Sequence, residues 1–376
     1  MSEVVVSHAG PLRRLWRRVA PLVVVSAFYF GVLVYPVLRI RGLLLPAMPG
    51  TGELLLIMVG PILGRLSHEF FPGTLTRWLS ALALTWLGIC FMAFLMVLGF
   101  EVAHWLLPLS DRTWGMILTG ALAALTVTAF VGAQRLHVRE IDIAAPDALA
   151  GLRVAQISDV HVGSRSGRFL RRVVHRVNAL APDHVLITGD LIDFEDISVE
   201  EIGSLAELRA PTYFIIGNHE RYVDLDAICA RLTSLGVRVL RDDALEMAPG
   251  IQLVGIDDAE PKTQVSRVLR SLRPAPDAFR ILLYHRPDGA EDAARWGAHL
   301  MLCGHTHNGQ IVPFNYVVRR IFPRIQGLYD IDGMQLYVSP GTGTWGPILR
   351  LGSRSEISLI TLRPQNTAKG TANVGA

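Results

Sequence analysis

Five short segments of the chain end in side chains that can bind a divalent cation. Each segment is a run of mainly apolar residues that is followed almost at once by Asp, Asn or His. The runs are 152–157, 184–187, 212–216, 281–284 and 300–303, and the side chains that follow them are Asp159, His161, Asp190, Asn218, His219, His285, His305 and His307. Carboxylate, amide and imidazole groups together form the mixed donor set that suits Mn²⁺, Fe²⁺ or Zn²⁺.

The elements around these residues predict how they are positioned. The apolar runs read as short β-strands, and helical stretches such as 169–180, 199–208 and 225–235 separate them, which indicates an α/β fold. In open α/β sheets, ligands bind at the carboxyl ends of the strands. We therefore expect all five strands to deliver their polar residues to the same edge of a sheet, around one point.

Local spacing adds two expectations about the backbone. If the backbone is extended at Asp159-x-His161 and His305-x-His307, both side chains of each pair point the same way, since side chains repeat every two residues. A glycine precedes Asp190, Asn218 and His305, and it allows a tight turn into the site.

The number of candidate ligands exceeds what one tetrahedral ion can use. Such a set suits two ions about 4 Å apart that share a carboxylate, which is the geometry that clamps the attacking and leaving oxygens of a phosphoryl group.

In order and spacing, the five blocks resemble those of the calcineurin-like metallophosphoesterases. They read Asp159-x-His161, Gly189-Asp190, Gly217-Asn218-His219-Glu220, His285 and Gly304-His305-x-His307. The resemblance covers about residues 137–363. The stretches 304–310 and 337–343 are most similar to the bacterial membrane-associated phosphodiesterase branch.

This resemblance implies a two-sheet sandwich flanked by helices and a role for each block residue. One metal ion would be held by Asp159, His161 and His307, the other by Asn218, His285 and His305, with Asp190 bridging them. A metal-bound hydroxide between the ions would attack phosphorus in line, and His219 would protonate the leaving oxygen. Asp193 matches the family position that orients this His, whereas we expect Glu220 to favour a helix start.

One departure from the family bears on the substrate. The protein-phosphatase members continue the second block with Arg-Gly, and that Arg grips the phosphate. Here Phe194 and Glu195 follow Asp193 instead. The departure disfavours phosphoprotein substrates and leaves room for a phosphodiester or a diphosphate.

The first third of the chain has the composition of a membrane segment. Residues 1–134 contain nine Arg, no Lys and five acidic residues. The stretches 19–38, 78–100 and 114–134 match the roughly 20 apolar residues that cross about 30 Å of hydrocarbon. A fourth stretch, 43–66, contains Glu53 and three prolines, so it could span or lie re-entrant. We predict an anchor of about four helices over 1–134, a catalytic domain over 135–364 and a flexible tail over 365–376.

Arginine placement predicts a multi-pass protein of the cell membrane with a cytoplasmic catalytic domain. With four spans and the N-terminus inside, eight arginines flank the spans on the inside and three lie outside. This distribution follows the positive-inside rule. If 43–66 does not cross, the catalytic domain lies outside, which the charge rule disfavours.

A basic and aromatic segment, 314–325, follows the last block and contains Arg319, Arg320 and Arg324. One interpretation is a loop that meets the bilayer or a lipid phosphate near the metals, with these arginines as candidate substrate-binding residues. The other is a packed strand and turn with solvated arginines.

Charge narrows the possible partners. Residues 135–376 hold 27 basic and 28 acidic residues, so we expect no nucleic acid. The sequence predicts a membrane-anchored phosphoesterase with two divalent ions (Mn, Fe or Zn). A lipid-linked substrate, such as a UDP-diacylglucosamine-type lipid, and a soluble nucleotide diester both stay open. A membrane sensor or scaffold that keeps the fold without turnover is the alternative from another class. The intact ligand set and His219 argue against it.

Overall fold

The N-terminal part of the computed structural model is a set of four antiparallel helices, within a described range of residues 23–364. They are α1 (Val23–Leu44), α2 (Thr51–Phe70), α3 (Thr74–Leu106) and α4 (Asp111–Gln134). In α1 the backbone widens into a π-helix at Tyr29–Val34, just before Pro36, which has no N–H to donate. The start of the span expected at 19–38 and the tail expected at 365–376 lie outside the described residues.

Three of these helices, α1, α3 and α4, are long and apolar enough to cross a membrane, by length and composition among the described residues. The stretch expected at 43–66 forms α2, which has Pro61 in its interior and is not one of these three. It packs antiparallel on α3, since a Cβ on Gly64 would lie 3.0 Å from the Cβ of Ala83. Arg41 at the end of α1 pairs with Glu53 at the start of α2, with 2.6 Å between nitrogen and oxygen.

Twelve strands, six further α-helices and four short 3₁₀ helices lie in the described part of the chain after α4. The strands are β1 (Leu136–Ala145), β2 (Arg153–Ile157), β3 (His184–Thr188), β4 (Thr212–Ile215), β5 (Val237–Val239), β6 (Asp243–Ala248), β7 (Ile251–Ile256), β8 (Phe279–Tyr284), β9 (Leu300–Cys303), β10 (Gly327–Ile331), β11 (Met334–Val338) and β12 (Ser355–Pro364). The helices are α5 (Gly167–Leu180), α6 (Val199–Ile202), α7 (Leu225–Ser234), α8 (Gln264–Leu269), α9 (Ala290–Trp296) and α10 (Phe314–Ile321).

The strands form two mixed six-stranded sheets. The first has the order β1-β12-β2-β3-β4-β5, and the second has the order β10-β11-β9-β8-β7-β6. Strands β2 to β5 run parallel in the first sheet, and β7, β8, β9 and β11 run parallel in the second. The carboxyl ends of the parallel strands therefore carry the loops of the functional site.

Apolar side chains fill the space between the sheets and cover both outer faces. The inner core joins Leu186 and Ile215 of the first sheet to Leu283 and Leu302 of the second. Helix α5 covers the outer face of the first sheet, and α8 and α9 cover that of the second. This two-sheet sandwich flanked by helices and preceded by apolar helices confirms the predicted fold class.

The helical region is packed directly against the sandwich. A Cβ on Gly88 of α3 would lie 2.9 Å from Pro347, and one on Gly132 of α4 would lie 2.6 Å from the carbonyl oxygen of Arg350. The backbone N–H of Arg350 donates to the carbonyl of Ala129 at 2.8 Å. Helix α4 thus continues into β1 while its last turns contact a loop of the functional site.

We expect Gly132→Ala to loosen this junction, because the added methyl meets a backbone oxygen that cannot move aside. Overpacking of this kind costs about 1–3 kcal/mol. Thermal unfolding of the detergent-solubilised protein should show a lower midpoint. The matched control is Gly120→Ala in the same helix, where a Cβ meets nothing within 4 Å and alanine favours the helix. Equal midpoints for the two variants would contradict the prediction.

Candidate metal centre

The predicted ligands come together where the two sheets meet. Strands β2, β3 and β4 lead into Asp159, His161, Asp190 and Asn218, whereas β8 and β9 lead into His285, His305 and His307. The expectation that all five strands deliver to one sheet edge is wrong in this respect, since the second sheet supplies the three later histidines. A point between two sheets can be reached from both sides, which brings more ligands together than one edge does.

The backbone is not extended at Asp159-x-His161 or at His305-x-His307, the two places where the spacing suggested an extended chain. Asp159 and His161 have φ angles of 55° and 57°, and His305 and His307 have φ angles of 72° and 49°. All four lie in the left-handed region, which non-glycine residues rarely adopt. The paired side chains therefore converge through left-handed turns, and the local strain they carry is typical of functional sites.

Glycines before the ligands allow close approach, as the sequence suggested. A Cβ on Gly217 would lie 2.2 Å from an Asp190 carboxylate oxygen, and one on Gly304 would lie 2.3 Å from an Asp159 carboxylate oxygen. Gly189 has a φ of 88°. Any side chain at 217 or 304 would displace a ligand.

One group of ligand atoms joins Asp159, His161 and His307, all of them buried. The Nε2 atoms of His161 and His307 are 3.1 Å apart, and His307 Nε2 is 3.4 Å from Asp159 Oδ1. Two imidazole nitrogens and a carboxylate oxygen that face one another at this distance have the chemistry of a cation site.

A second group joins Asp190, His285 and His305. His285 Nε2 is 3.1 Å from Asp190 Oδ2 and 3.2 Å from His305 Nδ1. The other ring nitrogen of His285, Nδ1, faces the Thr188 carbonyl oxygen at 2.8 Å, which leaves Nε2 for the site. The same Asp190 oxygen is 4.0 Å from His161 Nε2, so Asp190 lies between the two groups.

Asn218 offers an independent test of whether the residues fit a metal. Its side-chain carbonyl oxygen is buried and has no hydrogen-bond partner. A buried acceptor without a partner costs roughly 1–3 kcal/mol, and coordination of a divalent cation would satisfy it. This unsatisfied oxygen and the carboxylate and imidazole donors around it fit a divalent metal.

The electrostatics of the second group favour a cation in the same way. Burial alone lowers the pKa of His285, but Asp190 and Asp159 outweigh it and raise that pKa to about 10. Burial and the neighbouring His285 lower the pKa of His305 to about 3. The carboxylates therefore attract positive charge, and metal binding here competes with protons.

His219 lies beside the ligands and contacts Asp193. Its Nδ1 is 2.8 Å from Asp193 Oδ1, and its Nε2 is 4.0 Å from Asp190 Oδ2. Burial by itself lowers the pKa of His219, but the hydrogen bond and charge of Asp193 raise it to about 9. The same Asp193 oxygen is 2.6 Å from His161 Nδ1. Asp193 thus contacts both the candidate acid and a candidate ligand.

Glu220 is a site residue whose role the sequence analysis missed. It begins a short 3₁₀ helix, Glu220–Tyr222, but its carboxylate is fully buried and turned away from that helix. It accepts backbone N–H groups of Asp190, Leu191, Ile192 and Gly217 at 2.7–3.0 Å. The carboxylate therefore joins the Asp190 turn to the Asn218 turn, a role that only the position of Glu220 in the Asn-His-Glu block hinted at.

Arg350 is a second residue that the sequence analysis did not find. Its guanidinium is fully buried and donates to the carbonyl oxygens of Pro340 and Gly343 at 2.7 and 2.8 Å. It also lies 3.3 Å from His307 Nδ1. Burial lowers its pKa to about 10, which leaves it charged at neutral pH. The arginine holds the last ligand loop, and no local pattern marks it.

Comparison with known proteins agrees with the geometry. The family model for calcineurin-like phosphoesterases matches residues 152–309. A transmembrane protein with a metallophosphoesterase domain from Bos taurus is 35% identical and covers 76% of this chain and 74% of its own. Its counterpart from Danio rerio is 33% identical over 78% and 76%. An uncharacterized metallophosphoesterase of Campylobacter jejuni is 29% identical over 72% and 78%.

The chain belongs to the calcineurin-like metallophosphoesterase family. It is a metal-dependent phosphoesterase. The match to the bovine protein covers 76% of this chain, which is longer than the segment 135–376. It therefore extends into the N-terminal helices. That relative's name supports membrane association of this metallophosphoesterase.

The three candidate arginines near the site have different surroundings. Neither the expected loop nor the alternative of strand and turn is correct for residues 314–321, which form α10. Arg319 and Arg320 are exposed on this helix. Arg324 pairs with Glu291 at 2.7 Å, so its charge is already partnered. The structure therefore brings none of them among the metal ligands.

We expect Asp193→Asn to lower kcat and move the alkaline limb of the pH–rate profile to lower pH. An acid works only below its pKa, and removal of the Asp193 charge lowers the pKa of His219 from about 9. Rates measured from pH 6 to 10 at saturating metal check this. The exposed Glu195→Gln, two residues away, should leave the profile unchanged. An unshifted limb in Asp193→Asn would contradict the role given to this contact.

We expect Glu220→Gln to destabilise the fold by about 1–3 kcal/mol and to weaken metal binding. Each carboxylate oxygen accepts two N–H groups, so an amide NH₂ would face donors with a donor. Unfolding midpoints and Mn²⁺ titration calorimetry measure the two effects. Glu207→Gln, at an exposed carboxylate, serves as the control. A Glu220→Gln protein with native stability and metal affinity would rule out the role of Glu220 in holding the Asp190 and Asn218 turns together.

Proposed function

We propose that this metallophosphoesterase hydrolyses a phosphodiester or diphosphate bond with two divalent ions, and that its substrate is borne by the membrane. The observation that carries the proposal is the position of Asp190 between the two groups of buried ligands, with His219 next to it. A shared carboxylate between two donor sets is what a dinuclear centre requires.

The residues divide into two sets around Asp190. Asp159, His161 and His307 would hold one ion, and Asn218, His285 and His305 would hold the other, with Asp190 shared. When bound, Mn, Fe or Zn ions would activate water and offset the phosphoryl charge. Glu220 and Arg350 hold these donors in place, because both side chains are hydrogen-bonded to the backbone of the ligand loops.

His219 would donate a proton to the leaving group, and Asp193 would hold His219 in position. His219 is partly accessible, with 20% of its side chain exposed, whereas Asp193 is nearly covered. The Asp193 carboxylate accepts the Nδ1–H of His219, which leaves Nε2 directed toward Asp190. A protonated Nε2 at this place can donate to a departing oxygen.

The loop after Asp193 supports a diester or diphosphate over a phosphoprotein. Phe194 stands where protein phosphatases of this family have an arginine, and its ring packs against His68 of α2, with centroids 4.5 Å apart. The position is thus used for packing against the helical region. A UDP-diacylglucosamine-type lipid fits the class of substrate, and a soluble nucleotide diester is the competing candidate.

The arrangement of the helices supports a multi-pass anchor. Leu43 and Leu44 at the end of α1 contact Gly115 at the start of α4, so Val23 and Gln134 lie toward the opposite end of the helix set. An even number of crossings would put the N-terminus and the catalytic domain on the same side of the membrane. This topology requires α2 to cross as well, although α2 is not among the three helices that qualify by length and composition. The excess of arginines on that side supports the proposal that both lie in the cytoplasm.

A non-catalytic membrane sensor or scaffold is the alternative from a different class. Such a protein would keep the fold without needing the ligand loops. Six candidate ligands are nonetheless held in close groups, with Asp193 beside them, and five of these ligands have left-handed backbone. Strain of about 1–3 kcal/mol at each such residue is unexpected in a site without use.

The test is turnover of bis(p-nitrophenyl) phosphate by the purified protein with Mn²⁺. We expect wild type to release p-nitrophenol, and Asp190→Asn and His219→Ala to lose at least about 100-fold, as loss of a shared ligand or a general acid does. Asp226→Asn and His175→Ala, exposed residues outside the cluster, should match wild type. Rates unchanged by the site substitutions would indicate a contaminant, and an inactive wild type would favour the scaffold.

A further inference from the structure

Helix α10 has an apolar stripe that is largely exposed. Phe314, Val317 and Ile321 are 42%, 51% and 61% exposed. Their spacing of i, i+3 and i+7 places them on one face of the helix. None of the helix residues is fully buried, so α10 lies on the surface of the sandwich.

The opposite face of α10 is polar and cationic. Arg319 lies opposite the stripe and Arg320 lies about 90° around the helix from its centre. Both are exposed, and neither has an acidic partner within ion-pair distance among the described residues. A helix with a narrow apolar stripe and arginines on its other face is typical of segments that lie in the plane of a membrane interface. The arginines suit the anionic headgroups of the cytoplasmic leaflet.

The position of the stripe next to α3 indicates that lipid covers it. Phe314 packs edge-on against Phe91, with ring centroids 6.2 Å apart, and Phe91 lies in the apolar part of α3, a candidate membrane span. A second exposed aromatic residue, Trp345 (55% exposed), comes two residues before Pro347, which lies against Gly88 of α3. The stripe therefore continues the surface that α3 would present to lipid.

The other end of the helix touches the metal centre. Phe322, directly after α10, packs edge-on against the ring of His305 with centroids 5.1 Å apart. A single helix thus connects a candidate membrane span with a candidate metal ligand. A phosphate at the level of the headgroups would meet the site without leaving the interface.

We propose that the Phe314, Val317 and Ile321 face of α10 is immersed in the bilayer interface and that the site draws amphipathic lipid phosphoesters from there. This rests on the proposed function for the substrate, but the contact with the bilayer stands independently of turnover. Burial of the stripe among acyl chains would stabilise the contact between this edge of the site and the membrane.

The bilayer contact is tested with the full chain in vesicles of phosphatidylcholine and phosphatidylglycerol. A spin label is attached at Val317→Cys or at Arg319→Cys, in a Cys229→Ser background because Cys90 and Cys303 are buried. We expect the label at 317 to be relaxed more by oxygen than by a water-soluble nickel chelate, and the label at 319 to show the reverse. A label at 317 that behaves as in water, or that is shielded from both reagents by a protein contact, overturns the proposal.

The substrate class is tested with two chromogenic diesters that share a leaving group. Hexadecyl p-nitrophenyl phosphate partitions into the vesicles, and bis(p-nitrophenyl) phosphate stays in water. The double variant Val317→Asp and Ile321→Asp should lose about tenfold or more on the lipid ester and keep its rate on the soluble one. Tyr316→Asp, on the far face of α10, is the matched control and should keep both rates.

The outcomes separate the two proposals. If wild type cleaves neither ester, the proposed function fails while the spin labels still report on membrane contact. If the double variant loses both rates equally, or loses neither, α10 does not deliver the lipid substrate and that part of the inference is overturned.

Discussion

The burial of two carboxylates at one point is the constraint on which the rest of the structure depends. Asp159 and Asp190 are almost wholly removed from water and lie among imidazoles rather than beside lysine or arginine partners. Such burial is unfavourable unless positive charge is supplied. His285, whose pKa the two carboxylates raise to about 10, can provide that charge through a proton, and a divalent metal would provide more of it.

Holding those groups together requires support from outside the ligand set. The Glu220 carboxylate fixes two ligand turns through four backbone N–H groups, and the Arg350 guanidinium fixes the carbonyls of the last ligand loops. Each is a buried charge satisfied mainly by the backbone, so each orders the loops without competing for the metal. Beneath the site, the Gln156 side chain donates to Thr188 and to the carbonyl of Cys303, which links the two sheets.

The same loops are the ones that meet the helices. The Arg350 N–H donates to the carbonyl oxygen of Ala129 in α4, and the Ile348 N–H donates to the hydroxyl oxygen of Thr85 in α3. Arg77 of α3 pairs with Glu201 at 3.1 Å on the other side of the contact. The metal centre therefore lies at the edge of the sandwich that packs against the N-terminal helices. This position supports the proposed membrane-borne substrate.

The sequence alone was sufficient for the features set by local pattern. Apolar length predicted the helical N-terminal region, and the order of polar residues after short strands predicted the ligand blocks and the family. These features depend on side-chain period, run length and residue type, which are all local properties. The prediction of Asp193 beside His219 came from the family resemblance of the second block, and its role remains a prediction.

Other features were decided only by the tertiary structure. The sequence could not show that two sheets share the site, because strand order depends on long-range pairing. It could not show that the Glu220 carboxylate accepts hydrogen bonds from the Asp190 loop or that the Arg350 guanidinium contacts His307. It also could not show that residues 314–321 form a helix beside Phe91. In each case the stabilising contacts are with residues that are distant along the chain. The local sequence shows which residue is present, but not what it contacts.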